Sequence, residues 1–173
     1  MRRKLFPVIV LALCLQTHAA FAADMNPGGV PRAAVVGRGE LSIAFWDVYE
    51  AVLYAPDGRW DPEKPFALSI HYYREIEGPD IADRSVREIR RQGFDNEIQL
   101  AAWNAQLKEI FPDVRNGSVL TASYQPGIGT RFYADKNFIG EIKGDAFAVQ
   151  FFNIWLGEKT SEPGLRRQLL GLS

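Results

Sequence analysis

The feature that most constrains the fold is the stretch at residues 37–56, GRGELSIAFWDVYEAVLYAP, which is crowded with strand-forming side chains. Between residues 41 and 54 both alternating faces are largely apolar, and Asp47 is the interruption of the first face. A strand that is apolar on both faces is covered on both, so the pattern predicts one central strand over residues 41–54. Fourteen extended residues would span roughly 46 Å, against about 17–20 Å for a usual strand, so we expect a bulge or bend near Asp47.

The first residues are typical of an export signal. A cationic segment at residues 2–4 precedes an apolar run at residues 5–15, which is too short to span a bilayer. Residues 20–22, AFA, have the small-x-small form of a signal peptidase site. The pattern predicts a signal peptide at residues 1–22, a flexible leader at 23–34, and a periplasmic or secreted protein. Cys14 leaves a lipoprotein signal open as an alternative, although Leu13 is bulky for the residue before that cut.

The composition of the remaining chain limits what can stabilise it and what it can bind. Cys14 is the only cysteine, so the exported chain has no disulfide and depends on a hydrophobic core. A chain of about 150 residues is ample for one core, and we expect a single domain at residues 35–173. Loss of the three cations at residues 2–4 takes the formal net charge from −1 to −4. That balance disfavours nucleic acid as a partner, and no second apolar run is long enough to cross a membrane.

Strands and helices are predicted in blocks. A cleanly alternating strand at residues 66–73 should pair antiparallel with the first strand. The later predictions are helices at 80–92 and 95–111, strands at 118–124, 130–134 and 138–142, a helix at 145–156, and a last short helix capped by Thr160 or Ser161. Asp80 is the expected N-cap of the first helix. Blocks of this kind are typical of an α+β fold, an antiparallel sheet with helices packed on one face.

Few residues point to chemistry. The sequence has no CxxC, HExxH, P-loop or GxSxG motif, so we expect no catalytic motif, no metal and no cofactor. His71 is the only histidine after the predicted signal, and we interpret it as structural. Glu88 stands among arginines on the first helix, which is typical of a solvated charged face. Several aromatic residues could form core and rim or line an apolar ligand cleft: Trp46, Tyr49, Tyr54, Tyr72 and Tyr73.

Four segments, in order, resemble the chalcone isomerase-like family, and most closely its secreted bacterial branch. They are AFWDVYEAVLYAPDG, IFPDV followed by Gly117, RFYADKNFIGEI, and FFNIWLGEKTSEPGLRRQLLG, and the resemblance covers roughly residues 35–171. It implies an open-faced β-sandwich with a ligand cleft between the sheet and the helices. In the plant enzymes of this family the cleft cyclises a chalcone to a flavanone, whereas other members bind fatty acids. Both activities depend on an arginine that follows a Gly-x-Gly-x pattern and holds an anionic oxygen.

The chain departs from that family pattern at the cleft positions. Leu41 stands where the arginine belongs, and Ala44 stands where a strand threonine polarises the ketone. The remaining polar positions fall on Ile81, Glu88, and Asn153 or Ile154. Arg38 is the one nearby cation that could substitute, but a regular strand would turn it to the opposite face from Leu41. A cleft without its cation would leave a bound anion unpaired, at a cost of several kcal/mol.

Three hypotheses follow. The leading one is a secreted, non-catalytic member that binds a small apolar or amphipathic, fatty-acid-like ligand at Leu41, Ala44, Ile81, Glu88 and Ile154. The first alternative is an isomerase or lyase acting on a small unsaturated substrate, with Arg38, His71, Tyr49 or Glu88 as polar substitutes for the lost set. The second alternative is an interaction protein whose cleft is filled by its own side chains and whose partner docks on an exposed apolar patch.

Overall fold

The computed structural model describes residues 27–172, and the strands of that part of the chain form one six-stranded sheet. The strands are β1 (Ala33–Ile43), β2 (Trp46–Pro56), β3 (Phe66–Tyr72), β4 (Val119–Gln125), β5 (Gly129–Ala134) and β6 (Asn137–Lys143). The α-helices are α1 (Gly78–Arg91), α2 (Glu97–Ile110), α3 (Asp145–Leu156) and α4 (Pro163–Leu169). The predicted signal peptide lies outside the described residues.

The sheet is a meander in chain order, β1-β2-β3-β4-β5-β6, and every neighbouring pair is antiparallel. Helices α1 and α2 are inserted between β3 and β4, and α3 and α4 follow β6. The predicted α+β class, an open-faced β-sandwich with helices on a large antiparallel sheet, is confirmed. The predicted pairing of β3 with the preceding strand is also confirmed, with Tyr49 opposite Tyr72 and Leu53 opposite Leu68.

The prediction of one long central strand over residues 41–54 is wrong. The chain reverses at Ala44 and Phe45, so that Ile43 pairs with Trp46 and the stretch forms two antiparallel strands, of which β1 is a sheet edge. Ala44 has a φ of 56°, a left-handed value at the first central position of a two-residue hairpin turn, where glycine is usual. Local composition gave little sign of this turn, because the side chains around it are themselves strand formers.

The core lies between the inner face of the sheet and helices α1, α2 and α3. Side chains of one cross-strand row face the helices: Leu53, Leu68, Ala122 and Phe132 are paired in register across β2, β3, β4 and β5. The predicted inward side chains of α3 pack on this row, and the ring centroids of Phe132 and Phe151 are 5.5 Å apart. The fold is therefore stabilised by aromatic and aliphatic burial, as expected for a domain without disulfides.

The starts of α1 and α2 each differ by two residues from the sequence predictions, because the capping groups come from elsewhere, whereas α3 begins at Asp145 as predicted. The N-cap of α1 is Glu77 rather than Asp80, and the Gly78 amide donates instead to the Asp113 carboxylate at 2.8 Å. Helix α2 begins after Asn96, whose side chain accepts from the Gln99 amide. Gly78 allows the close approach this arrangement needs, since a Cβ there would collide with the carbonyl of Phe111.

The last helix also begins later than predicted. The N-cap of α4 is Glu162, without a side-chain cap, so neither Thr160 nor Ser161 has the predicted role. The two hydroxyls instead fix the loop between α3 and α4: Thr160 donates to the Ile154 carbonyl at 2.6 Å, and Ser161 donates to the Glu88 carboxylate at 3.0 Å. This loop is thereby held against α1.

Residues 27–30, within the segment predicted as a flexible leader, pack on the outer face of the sheet, and residues 33 and 34 already belong to β1. Val30 is buried, and the Ser123 hydroxyl donates to the Gly28 carbonyl at 2.7 Å. Arg32 pairs with Asp57 through two hydrogen bonds of 2.9 and 2.8 Å. The domain of the described chain therefore begins earlier than residue 35.

Candidate functional site

A cleft with a volume of about 440 Å³ lies between the inner face of the sheet and helices α1 and α3. Strands β1 to β5 line one side, and α1, α3 and the loop before α4 line the other. Ligand pockets in proteins have volumes of roughly 300–1,000 Å³. The cleft thus has the size of a small-molecule site and the location that the family resemblance implies.

The inner end of the cleft is apolar. Its lining includes four buried apolar side chains of the sheet and of α3, which we call the floor: Leu68, Ala122, Phe132 and Phe151. Ala122 is the smallest of these side chains, and it stands between Leu68 and Phe132 in the cross-strand row. An apolar chain that entered the cleft would meet only hydrocarbon and aromatic carbon at this end.

Two tyrosines give the cleft wall a polar element. The Trp155 indole N–H donates to the Tyr49 hydroxyl at 2.9 Å, and the rings of Tyr49 and Tyr72 meet edge to face at 6.0 Å. Burial raises the pKa of the Tyr49 hydroxyl to about 12, and burial likewise raises the pKa of the Tyr72 hydroxyl. Both phenols are therefore neutral at physiological pH.

The opening of the cleft is marked by its exposed lining residues, which we call the mouth: Ile43, Asp80, Arg84 and Arg87. Ile43 belongs to the end of β1, and the other three belong to α1. The mouth therefore lies between the β1–β2 hairpin and the first turns of α1.

Helix α1 brings two guanidinium groups to this mouth. Ile81, Arg84, Ser85 and Glu88 are spaced i, i+3, i+4 and i+7, so they share one helix face, and all four line the cleft. The interpretation of these charges as a solvated face is therefore incomplete. The sequence argument considered only Arg38 as a replacement cation, whereas the fold supplies Arg84 and Arg87. The helical spacing from Ile81 is the signal that could have found Arg84, whereas Arg87, at i+6, lies outside that pattern.

Glu88 is the buried charge of the cleft, and its neighbours neutralise it. Its carboxylate accepts from Arg84 Nε at 2.9 Å, from the Ser161 hydroxyl at 3.0 Å and from Arg91 at 3.5 Å. Arg84 uses only its Nε in this contact, and its side chain remains 49% exposed. Among the described residues, Arg87 has no carboxylate within ion-pair distance. Guanidinium N–H groups are thus available at the mouth.

Acidic groups reach the lining as well. Asp80 lies one helical turn before Arg84, and Glu162 lies on the loop before α4. The mouth consequently carries charges of both signs. The planar guanidinium fork is suited to bidentate recognition of a carboxylate, and the two acidic groups are suited to an ammonium group.

The structure brings five of the predicted site residues together and leaves three outside. Leu41, Tyr49, Ile81, Glu88 and Ile154 line the cleft. Ala44 is exposed in the hairpin turn, because the strand that should have carried it into the cleft reverses there. Arg38 and His71 lie on the outer face of the sheet, where Arg38 reaches Glu50 at 3.8 Å and His71 stands opposite Glu50 in register.

Of the aromatic residues considered for the cleft, Tyr49 and Tyr72 line it, whereas Trp46, Tyr54 and Tyr73 do not. The polar set suggested for catalysis is likewise divided between the two faces of the sheet. Within residues 27–172, no three histidine, cysteine or acidic side chains come together in a way that could hold a metal ion. No helix of that part of the chain combines the length and apolar character needed to cross a bilayer.

Comparisons with known proteins agree with this architecture. The chalcone isomerase-like family model matches residues 35–171, so the chain belongs to the chalcone isomerase-like family. An uncharacterized protein of Haemophilus influenzae is 28% identical over 138 residues, which cover 79% of this chain and 67% of that protein. A fatty-acid binding protein of Arabidopsis thaliana has a similar fold, with a TM-score of 0.62, 15% identity, and coverage of 80% of this chain and 86% of the other.

The raised pKa of Tyr49 predicts a loss of stability at alkaline pH. An unfolded tyrosine ionises near pH 10, whereas Tyr49 in the folded protein keeps its proton to about pH 12. The unfolded state therefore binds fewer protons between these values, and the free energy of unfolding falls as the pH rises. We expect Tyr49 to contribute about 2 kcal/mol to that fall by pH 11.5.

Urea unfolding at pH 9 and pH 11.5 measures this effect. The free energy of unfolding of Tyr49→Phe should fall by about 2 kcal/mol less over this interval than that of the wild-type protein. Comparing each protein with itself at the two pH values cancels the lost hydrogen bond from Trp155. Equal falls for both proteins would show that Tyr49 titrates normally in the folded state.

Proposed function

We propose that this protein binds one small amphipathic, fatty-acid-like molecule in the cleft, without catalysing a reaction on it. The observation that carries the proposal is the polarity of the cleft: a buried floor of hydrocarbon and aromatic carbon, with two guanidinium groups at the mouth. A molecule with an alkyl chain and an anionic head matches both ends at once.

The two ends contribute in different ways. Each methylene of the chain that leaves water for the floor contributes about 0.8 kcal/mol. A carboxylate buried without partners would lose several kcal/mol, but Arg84 and Arg87 can offer charge-assisted hydrogen bonds at the exposed mouth. The neutral hydroxyls of Tyr49 and Tyr72 belong to the lining of the same cleft and can donate to a polar group on the chain.

The arrangement of polar residues favours binding over catalysis. Glu88, the buried carboxylate that could act as a base, accepts hydrogen bonds from Arg84, Arg91 and Ser161. His71 and Arg38 are on the other face of the sheet, away from any molecule in the cleft. The fatty-acid binding protein of Arabidopsis thaliana with the similar fold supports the same class of function.

We propose further that the protein acts after export, as a periplasmic or secreted carrier. The charged n-region, the apolar run and the AFA site at residues 20–22 support this location. The intact mass of the protein purified from the periplasm should correspond to a chain that starts at Ala23 or one residue later. A chain that retains residues 1–22 in the cytoplasm would contradict the proposal.

Calorimetric titration with three ligands of equal chain length tests the binding proposal. Dodecanoate, dodecanol and dodecylammonium differ only in the charge of the head, and we expect dodecanoate to bind most tightly, with a Kd in roughly the micromolar range. Dodecanol should bind more weakly, and dodecylammonium most weakly. Tighter binding of dodecylammonium would show that Asp80 and Glu162, rather than the arginines, hold the head of the ligand. Absence of binding by all three ligands would overturn the proposal.

A further inference from the structure

The turn between β1 and β2 concentrates exposed apolar side chains. Phe45 is 99% exposed, Trp46 is 61% exposed and Ile43 is 51% exposed, and we call residues 43–46 the hairpin tip. The other large apolar side chains exposed in the described chain are separate from one another in sequence: Val35, Ile98, Ile128, Phe138, Val149 and Leu172. Adjacent exposed aromatic side chains of this kind mark an interaction site more often than isolated ones do.

The hairpin tip is held in a defined conformation by its neighbours. The guanidinium of Arg74 lies 4.6 Å from the centre of the Trp46 ring, and its Nε donates to the Asp47 carbonyl at 3.1 Å. The Ser42 hydroxyl donates to the Asp47 carboxylate at 2.7 Å across the base of the turn. Phe45 is therefore presented to solvent by an ordered hairpin, at a turn where the left-handed Ala44 replaces the usual glycine.

The hairpin tip is also part of the cleft opening. Ile43 lines the cleft and is exposed, as are the mouth residues of α1. The apolar lining of the cleft and the exposed apolar side chains of the hairpin tip therefore share Ile43. A molecule that leaves the cleft on this side passes directly along the hairpin tip.

We infer that the hairpin tip docks the cleft mouth onto a phospholipid bilayer, with Phe45 and Trp46 inserted at the boundary of headgroups and acyl chains. Tryptophan and phenylalanine suit this boundary, and a narrow turn enters a bilayer more readily than it fills a flat protein surface. The inference rests on the proposed function for its purpose, which is transfer of an amphipathic ligand between bilayer and cleft. The docking itself depends only on the hairpin tip.

Charge should contribute little to this docking. Arg74 and Asp47 give the base of the hairpin tip both signs, Asp80 and the two arginines do the same at the mouth, and the chain expected after export has a formal net charge of −4. Insertion of apolar side chains is therefore the driving force, so vesicles of zwitterionic phosphatidylcholine should suffice. Binding to them should change little with salt concentration, since screening acts on charges rather than on apolar contact.

Co-sedimentation with phosphatidylcholine vesicles tests the inference. The full chain should partition onto the vesicles, and Phe45→Ser/Trp46→Ser should reduce the partition coefficient at least about tenfold. Phe138→Ser is the matched control, because Phe138 is 56% exposed on β6, at the opposite edge of the sheet. This variant should have the partition coefficient of the wild-type protein. Equal losses for both variants, or no partition of the wild-type protein, would overturn the inference.

Two further measurements separate the remaining outcomes. Lipids brominated in the acyl chain should quench the fluorescence of Trp46. The Trp46→Phe variant, which should still dock, identifies the Trp46 part of the fluorescence as the part that it lacks. In buffer without vesicles, the double serine variant should bind dodecanoate as the wild-type protein does, and a loss there would make the hairpin tip part of the ligand site instead. Concentration-dependent dimers that the double variant abolishes, without vesicle binding, would assign the hairpin tip to a second copy of the chain.

If wild-type protein partitions onto vesicles but binds no dodecanoate, the docking stands and the proposed function fails. The two proposals therefore fail by different measurements.

Discussion

Replacing Ala122 by phenylalanine should weaken the binding of dodecanoate roughly fiftyfold while leaving the protein folded. Ala122 lies on the floor between Leu68 and Phe132, and its side chain faces the cleft. A phenyl ring on this Cβ would occupy the space that the end of the alkyl chain fills. If it displaces about three methylenes at ~0.8 kcal/mol each, binding loses about 2.4 kcal/mol.

The same variant should change ligand preference and not only affinity. Octanoate does not reach as far into the cleft, so its Kd should rise much less than that of dodecanoate. Ala122 belongs to the buried core row but also lines the cleft, so the ring can enter the open volume of the cleft, and thermal unfolding should occur close to the wild-type temperature. Ala105→Phe, on the exposed side of α2 and away from the cleft, is the control for adding a ring. Unchanged dodecanoate affinity in a folded Ala122→Phe protein would exclude the cleft as the site of the alkyl chain.

Removing both guanidinium groups from the mouth, in Arg84→Gln/Arg87→Gln, should weaken dodecanoate binding about a hundredfold and leave dodecanol binding nearly unchanged. A charge-assisted hydrogen bond contributes roughly 1.5–3 kcal/mol, and the partial exposure of these side chains favours the lower value. Each arginine then accounts for about one factor of ten. Affinity for dodecanoate in the wild-type protein should also fall with added salt, whereas that of the double variant should not.

The single variants distinguish direct from indirect effects. Arg87 forms no ion pair within the described residues, so Arg87→Gln tests the headgroup contact alone. Arg84→Gln also removes a partner of buried Glu88, which keeps Ser161 and Arg91, and a modest loss of stability is expected. Arg90→Gln removes an equal charge from the same helix, where Arg90 pairs with Glu97 outside the cleft. If this control weakens dodecanoate binding as much as Arg87→Gln does, the effect is one of overall charge.

The fold class could be predicted because its signals are local and repeated. Alternation predicted β3 and the meander, and helical spacing predicted α1, α2 and α3, so the block order identified a sheet with helices on one face. The hairpin at Ala44 and Phe45 could not be read in this way, because its turn contains no glycine, proline or asparagine. Missing this turn places Ala44 in the cleft and joins the edge strand β1 to β2 as one central strand.

The position and the apolar lining of the candidate site could be predicted from the sequence, whereas its two arginines were not predicted. Leu41, Ile81 and Ile154 line the cleft, and the absence of a cation at residue 41 is plain in the sequence. Arginines on a helix surface usually serve solubility, so composition did not mark Arg84 and Arg87, and only Arg84 shares the helical spacing of Ile81 and Glu88. Their position at the mouth depends on how α1 is rotated over the sheet, and that rotation is set by packing of Ala82, Val86 and Ile89 in the core.

The most direct test of the account is a crystal structure of the complex with 12-bromododecanoate, in which anomalous scattering locates the bromine atom. We predict one bromine site on the floor, beside Leu68, Ala122 and Phe132, with the carboxylate at Arg84 and Arg87 in the mouth. A bromine atom at the mouth would reverse the orientation, and one on the outer face of the sheet would contradict the assignment of the cleft as the binding site.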